Sequence, residues 1–207
     1  MLVRERMIST GTRVSANVPI SSLNGNFDNI SSSWVPVVDQ EGSLVGLLTV
    51  ADLKTAKETI KKLPPEDRSG PTVRDFMTTK FLFVNENTPI EEAVRMMIDY
   101  DTDELPVVKD GYFSGVITEK IMLRVLMEIT GARRQGIRLM VEVKNTTGSM
   151  LDLLQLIAEQ KGNVQGFCTY CASDDELLIV TMRVEGVDKY SLKQAIKTHG
   201  YKVIDIR

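Results

Sequence analysis

The chain has 207 residues, 43% of them hydrophobic and 26% charged, with a formal net charge of −3 and a pI near 5.4. That length and hydrophobic share suit one large or two modest globular domains, and the acidic balance excludes the basic footprint that nucleic-acid binding needs. No run reaches the roughly 18 apolar residues of a membrane span, the start MLVRERMIST lacks the apolar core of a secretory signal, and two cysteines give no disulfide framework, so a cytoplasmic protein is expected.

The chain opens with a short helix over Val3 to Met7 and an extended piece around Val14, and both recur at a spacing of 70 residues. Val3, Arg4 and Met7 return as Val73, Arg74 and Met77; Val14, Asn17, Pro19 and Ile20 return as Val84, Asn87, Pro89 and Ile90. Pro36-Val37-Val38 recurs as Pro106-Val107-Val108, and after a one-residue slip Gly46 and Thr49 answer to Gly115 and Thr118. A unit this long, present only twice, is no solenoid. It reads as two copies of a small α/β module facing each other, with the crevice between them a natural ligand site.

After Pro19, the stretch SSLNGNFDNISSS is rich in serine, asparagine and glycine, which favour caps and turns, so a short or bent helix is expected there. Its counterpart, Ile90 to Ile98, is a good amphipathic helix with acids in its first turn. Trp34 to Val38, a turn at Asp39 to Gly42, and Leu44 to Leu48 form a hairpin followed by a helix over Val50 to Ile60. The second copy repeats this as Leu105 to Val108, a turn at Lys109 to Gly111, Phe113 to Ile117, and a helix over Ile121 to Ile129.

Residues 63–71 are punctuated by Pro64, Pro65, Gly70 and Pro71 and read as a linker between modules at 1–62 and 72–131; residues 132–136 read as a second linker. From Ile137 the grammar changes. Ile137 to Val143 alternates like a strand, Ser149 to Lys161 carries a helical stripe, and Val164 to Ala172 and Glu176 to Val184 read as strands. A helix over Ser191 to Lys197 and a strand over Lys202 to Ile206 complete the order βαββαβ over 137–207, the ferredoxin-like split motif. The fold class is therefore mixed, α/β and α+β, with two βαββα modules ahead of a ferredoxin-like domain.

The duplicated unit, with its hydrophobic-Pro-Val-Val strand and its Gly-x-x-Thr-x-x-Asp turn at Gly46 to Asp52, resembles a pair of CBS domains, modules that bind adenine nucleotides or S-adenosylmethionine in regulatory proteins. The C-terminal part resembles an ACT domain, a regulatory fold that often takes amino acids at a dimer interface. Its Asn145-Thr146-Thr147-Gly148 loop and Gly162-Asn163-Val164 step carry that likeness. The combined order, down to TGARRQG between the parts, is similar to the AcuB family of bacterial acetoin utilization proteins. The resemblance implies a non-catalytic, allosteric homodimer, with an adenine nucleotide as regulatory ligand and no required cofactor.

At Gly46 to Asp52 a strand ends and a helix begins at Thr49, so N–H groups without intrahelical partners and the positive end of the helix dipole mark a phosphate seat. The CBS likeness gives Thr49 and Asp52 ligand roles, with the Asp52 carboxylate accepting from both ribose hydroxyls, and places Gly46 in the same turn. The plainer reading is that Thr-x-x-Asp is a capping box; the two readings can both hold. Val35 and Pro36 are candidate adenine walls or plain strand core, and Trp34 is a candidate stacking ring or a packing residue. The second copy keeps Thr118 but has Ile121 in place of the acid, so one competent nucleotide site is expected, with Thr118 marking a second.

The remaining motifs carry less. Cys168-Thr169-Tyr170-Cys171 is a CxxC without a second pair, and a strand puts residues three apart on opposite faces, so no metal site is expected. The ten methionines read as adaptable core. His199, the one histidine, has no evident nucleophile or carboxylate partner in sequence. Asn145, Thr147 and Gly148 are either an amino-acid effector loop or simply a turn. A sensor is expected rather than an enzyme, and the alternative is a scaffold whose CBS-like pair binds nothing.

Overall fold

The hydrophobic-Pro-Val-Val strands stand at the centre of two three-stranded sheets in a computed structural model that describes residues 1–9, 12–23, 33–68, 70–172 and 175–207. In the first sheet β1 (Val14–Ser15) runs parallel to β2 (Trp34–Val38), and β2 pairs antiparallel with β3 (Leu44–Thr49). Helix α1 (Val50–Lys62) follows. The second sheet repeats the arrangement with β4 (Val84–Asn85), β5 (Glu104–Lys109) and β6 (Tyr112–Thr118), flanked by α2 (Ile90–Asp99) and α3 (Glu119–Ile129). Even the irregularity repeats: the register shifts between Val37 and Val38 in one sheet and between Val107 and Val108 in the other. All five residues of β2 are buried, which explains a continuous apolar run in place of alternation.

Most expected elements are present with ends moved by a few residues. The opening helix is a single 3-10 turn over Val3–Glu5, α1 extends to Lys62, and α3 begins at Glu119. Between Pro19 and β2 the described part is a 3-10 turn, Ile20–Leu23, while residues 24–32 of the expected short helix lie outside the described residues. Among its described residues, the 63–71 linker contains a 3-10 turn at Pro65–Asp67.

The repeat does not reveal that the two copies exchange their opening segments. Val73 and Arg74 donate backbone hydrogen bonds to Val18 and Ala16 of the first copy, and Leu47 pairs with Thr78. Reciprocally, Val3 and Arg4 donate to Thr88 and Glu86 of the second copy, and Ile8 pairs with Val116. The core of the first copy accordingly takes in Val73, Phe76 and Met77 together with Val37, Leu48 and Ala56. Both copies thus form one compact unit, Met1–Met122.

The exchange explains Gly46 and Gly115. A Cβ on Gly115 would lie 2.6 Å from the Ile8 carbonyl oxygen, and one on Gly46 would lie 2.7 Å from the Met77 sulfur and 3.1 Å from the Thr78 carbonyl oxygen. The glycines let the incoming segment reach the sheet.

The second unit, Leu123–Arg207, begins inside α3, ahead of the expected linker at 132–136. Its sheet has the order β10-β7-β9-β8, built from β7 (Ile137–Lys144), β8 (Asn163–Cys171), β9 (Leu177–Glu185) and β10 (Lys202–Ile206), all antiparallel. With α4 (Ser149–Glu159) and α5 (Lys189–Thr198) this is the βαββαβ split arrangement. Leu139, Val141 and Val143 of β7 and Val180, Met182 and Val184 of β9 meet Leu153, Leu156 and Ile157 of α4 and Leu192 and Ile196 of α5 in one core. Alternation along β7 selects that face.

Overpacking a close contact typically costs about 1–3 kcal/mol. Gly115→Ala, whose obstacle is backbone, should lower the stability of the first unit by about 2 kcal/mol in urea unfolding. Gly46→Ala should cost less, because the Met77 thioether can swing aside.

Candidate functional site

Thr49 ends β3 and caps α1, and its geometry is that of a reciprocal box. The Asp52 Oδ2 atom accepts hydrogen bonds from the Thr49 N–H at 2.8 Å and from the Thr49 hydroxyl at 2.8 Å, and the Asp52 N–H donates to Thr49 Oγ1 at 3.1 Å. The plainer sequence reading therefore holds as geometry. Only Oδ2 is used, and Oδ1 has no protein partner among the described residues. Lys61 and Lys62 in the last turn of α1 complement the dipole at its other end.

The second copy differs at the same junction. Thr118 is half-buried at the end of β6, and Ile121 is 4% exposed, a core residue where the first copy has Asp52. The Glu119 N–H at the start of α3 is taken by the Asp103 carbonyl at 2.8 Å, and Glu119 places a carboxylate in the first turn. Across the sheets, Trp34 pairs with Thr49 in one copy and Glu104 pairs with Thr118 in the other.

A cleft of about 520 Å³ opens between the copies, within the range of small-molecule sites. Trp34, Leu47, Phe81, Leu82, Leu105 and Pro106 supply its apolar walls, and Lys80, Thr102 and Glu104 its polar groups. Trp34 both packs and lines: it is 7% exposed, clusters with Leu47, Phe113 and Val116, and still faces the cleft. Glu104 ties the copies together, its Oε1 accepting from the Ser33 N–H at 2.8 Å and from the Ser33 hydroxyl.

Val35 and Pro36, candidate adenine walls or strand core, are buried in β2. Their equivalents in the second copy, Leu105 and Pro106, line the described cleft. The repeat alone was enough to point to them, since Pro106 stands 70 residues after Pro36. Lys80, Phe81 and Thr102 were missed because they lie between the shared motifs.

In the C-terminal unit the candidate loop closes on itself. The Asn145 side-chain amide donates to the Asp175 carbonyl at 2.8 Å, and the Ser149 hydroxyl donates to the Lys144 and Thr146 carbonyls. Thr147 is exposed, and Gly148 takes a φ of +91° ahead of α4. Cys168 and Cys171 of β8 sit opposite Thr181 and Leu178 of β9, on opposite faces of their strand. The exposed His199 ends α5, its Nδ1 lying 2.9 Å from the Ala195 carbonyl oxygen.

The CBS domain family model matches residues 14–58 and 73–128. An uncharacterized protein of Methanocaldococcus jannaschii is 33% identical over 98 residues, which are 46% of this chain and 51% of that protein. The inosine-5'-monophosphate dehydrogenase of Aquifex aeolicus is 39% identical over 94 residues, 44% of this chain and 18% of that enzyme. The chain thus spans about half the length or less of these curated relatives. Among solved structures, CBSX2 in complex with AMP superposes with a TM-score of 0.51 at 24% identity, covering 62% of this chain and 97% of that one. A Vibrio cholerae protein assigned as the acetoin utilization protein AcuB gives a TM-score of 0.53 at 18% identity, covering 64% of this chain and 95% of that one. These likenesses show the fold. No helix among the described residues is long and apolar enough to cross a membrane.

Loss of a threonine cap typically costs about 1 kcal/mol. Thr49→Ala should therefore lower the melting temperature by about 2–4 °C without ligand, read by circular dichroism.

Proposed function

We propose that the first part of the chain, matched by the CBS domain model over residues 14–58 and 73–128, is a tandem CBS pair in a regulatory protein, and that its first copy binds an adenine nucleotide. The observation that carries this reading is the division of labour at Asp52. Oδ2 holds the start of α1, while Oδ1 remains for a ribose hydroxyl, so capping and ligand binding do not compete. The helix N-terminus beside it favours a phosphate through its N–H groups and dipole. CBSX2, which shares the fold, was solved with AMP, and this supports AMP, ADP or ATP as the ligand class; S-adenosylmethionine is the other candidate. Gly46 belongs to the site as the residue that brings Thr78 against β3, and Val35 and Pro36 as the buried strand under it.

The C-terminal unit is read as an ACT domain, supported by its strand order, with Asn145, Thr147 and Gly148 as an effector loop for an amino acid. The chain passes from one unit to the other through α3, so a ligand that favours one orientation of the two copies biases what the second unit experiences. A homodimer with a role in acetoin utilization belongs to the same reading, and it is the domain order along the sequence that supports it. One observation favours a scaffold instead: the second copy buries Ile121 where the acid would stand.

Isothermal titration with AMP, ADP and ATP separates the two. The expected result is one nucleotide per chain in the parent, weakened at least roughly tenfold in Asp52→Ala, about 1.4 kcal/mol of lost contact. Silence from all three nucleotides leaves the scaffold reading standing.

A further inference from the structure

We propose that the open face of the C-terminal sheet seats a phosphate dianion, free or as the monoester of a small molecule, over a row of three arginines. Arg183 of β9 stands opposite Arg138 of β7. Arg138 in turn exchanges both backbone hydrogen bonds with Arg207, just past β10, at 2.7 and 3.0 Å. Three neighbouring strands thus carry arginine at one level. The residues beside them along the strands, Leu139, Met182 and Val184, pack into the core with α4 and α5, so alternation turns the arginines to the other face. Like charges directly opposite one another destabilise a sheet, and an anion over the row removes that cost.

One carboxylate is built into the row. Asp205 accepts from Arg207 Nε at 2.9 Å and from Arg138 Nη1. The hydrogen bond from Arg207, with that from Arg138 behind it, holds the Asp205 carboxyl below the usual carboxylate range, so it is ionised at neutral pH. Arg183 has no carboxylate partner among the described residues: its Nη1 donates to the Gly136 carbonyl at 2.9 Å, and its Nε is buried without a hydrogen-bond partner. The other acids of this face are engaged, Glu185 by the Asn163 and Gln165 amides and Glu142 by Lys202. Three guanidiniums against one carboxylate leave an excess of two positive charges. A phosphate monoester brings nearly two negative charges at pH 7 and three acceptor oxygens, one for each arginine. A monocarboxylate brings one charge and two oxygens. The Arg138 and Arg207 side chains are 32% and 72% exposed, so a ligand from solvent reaches them. The neighbouring turn fixes the edge of the row: a Cβ on Gly166, opposite Arg183, would collide with the Gly131 backbone, and one on Gly131 would lie 3.1 Å from the Arg183 Cβ. Two further exposed arginines, Arg133 and Arg134, follow Gly131 in the chain. All of these residues belong to the second unit. The row lies near the start of β7, while the Asn145 loop follows the end of that strand, on the order of 20 Å away at strand rise.

Amide shift mapping of the labelled full chain, titrated with inorganic phosphate and with glycerol phosphate, tests the proposal. Saturable movement of the Arg138, Arg183 and Arg207 amides is expected with both. Movement with inorganic phosphate alone would make the seat one for the free ion, and movement with the ester alone one for a phosphorylated metabolite. Arg183→Gln and Arg207→Gln should each weaken binding at least roughly tenfold, with the amides of the rest of the sheet unmoved in the free variants as the sign of an intact fold. Asp52→Ala should bind both probes at this row as the parent does, so the result is independent of the nucleotide reading. Succinate, whose two charges sit on separate carboxylates, should bind at least roughly tenfold more weakly than glycerol phosphate. No movement at the row with either phosphate, binding that survives both arginine variants, or succinate bound as tightly as phosphate would each overturn the inference.

Discussion

The N-terminal half of the molecule depends on a reciprocal exchange of chain between two sheets. Each copy of the repeat leaves its sheet short of a segment, and the opening residues of the other copy fill the gap: Val73 to Thr78 in the first, Val3 to Ile8 in the second. Since each sheet has only three strands and buries all or most of its central strand, neither module could cover its core alone. Gly46 and Gly115 are the points at which the exchange becomes possible, because any side chain there would meet the incoming segment. The cleft follows from the same exchange, since the crossing segments bring Lys80, Phe81 and Leu82 beside β5 and lay Trp34 against the second copy.

Two copies of one architecture then part company in chemistry. The first keeps threonine and aspartate in a box at the start of a helix and leaves one carboxylate oxygen unused by the protein. The second fills the helix position with a buried isoleucine and carries its acid on the adjacent strand. Duplication gives the pair its approximate symmetry; differences at two equivalent positions, 34/104 and 52/121, remove the symmetry of its sites. A ligand that distinguishes the two strand–helix junctions has a differential interaction with the two copies, which is the physical requirement for shifting their relative orientation.

Much of this was legible in the chain. The repeat located both hairpins, both following helices and the close-approach glycines, because those positions answer to backbone constraints that both copies share. The βαββαβ order of the C-terminal unit followed from alternation along Ile137 to Val143 and the apolar stripe in α4. The exchange of opening segments was not legible, since Val3 and Val73 are equivalent and nothing in a pattern of equivalents says which sheet each one joins. Nor were Phe81, Thr102 and Glu104 as lining residues: they differ from their counterparts, and a comparison of like with like passes over them. Trp34 shows the limit of choosing one role per residue, for the same ring fills a core and faces a cleft.

The most direct test of the central claim, that the first copy reads a nucleotide through Asp52 while the second does not, is amide shift mapping of the labelled chain during titration with AMP. The account predicts that the Thr49 and Asp52 amides move in saturable fashion while those of Thr118 and Ile121 stay in place. Movement centred on Thr118 and Ile121, or none at either junction, would contradict it.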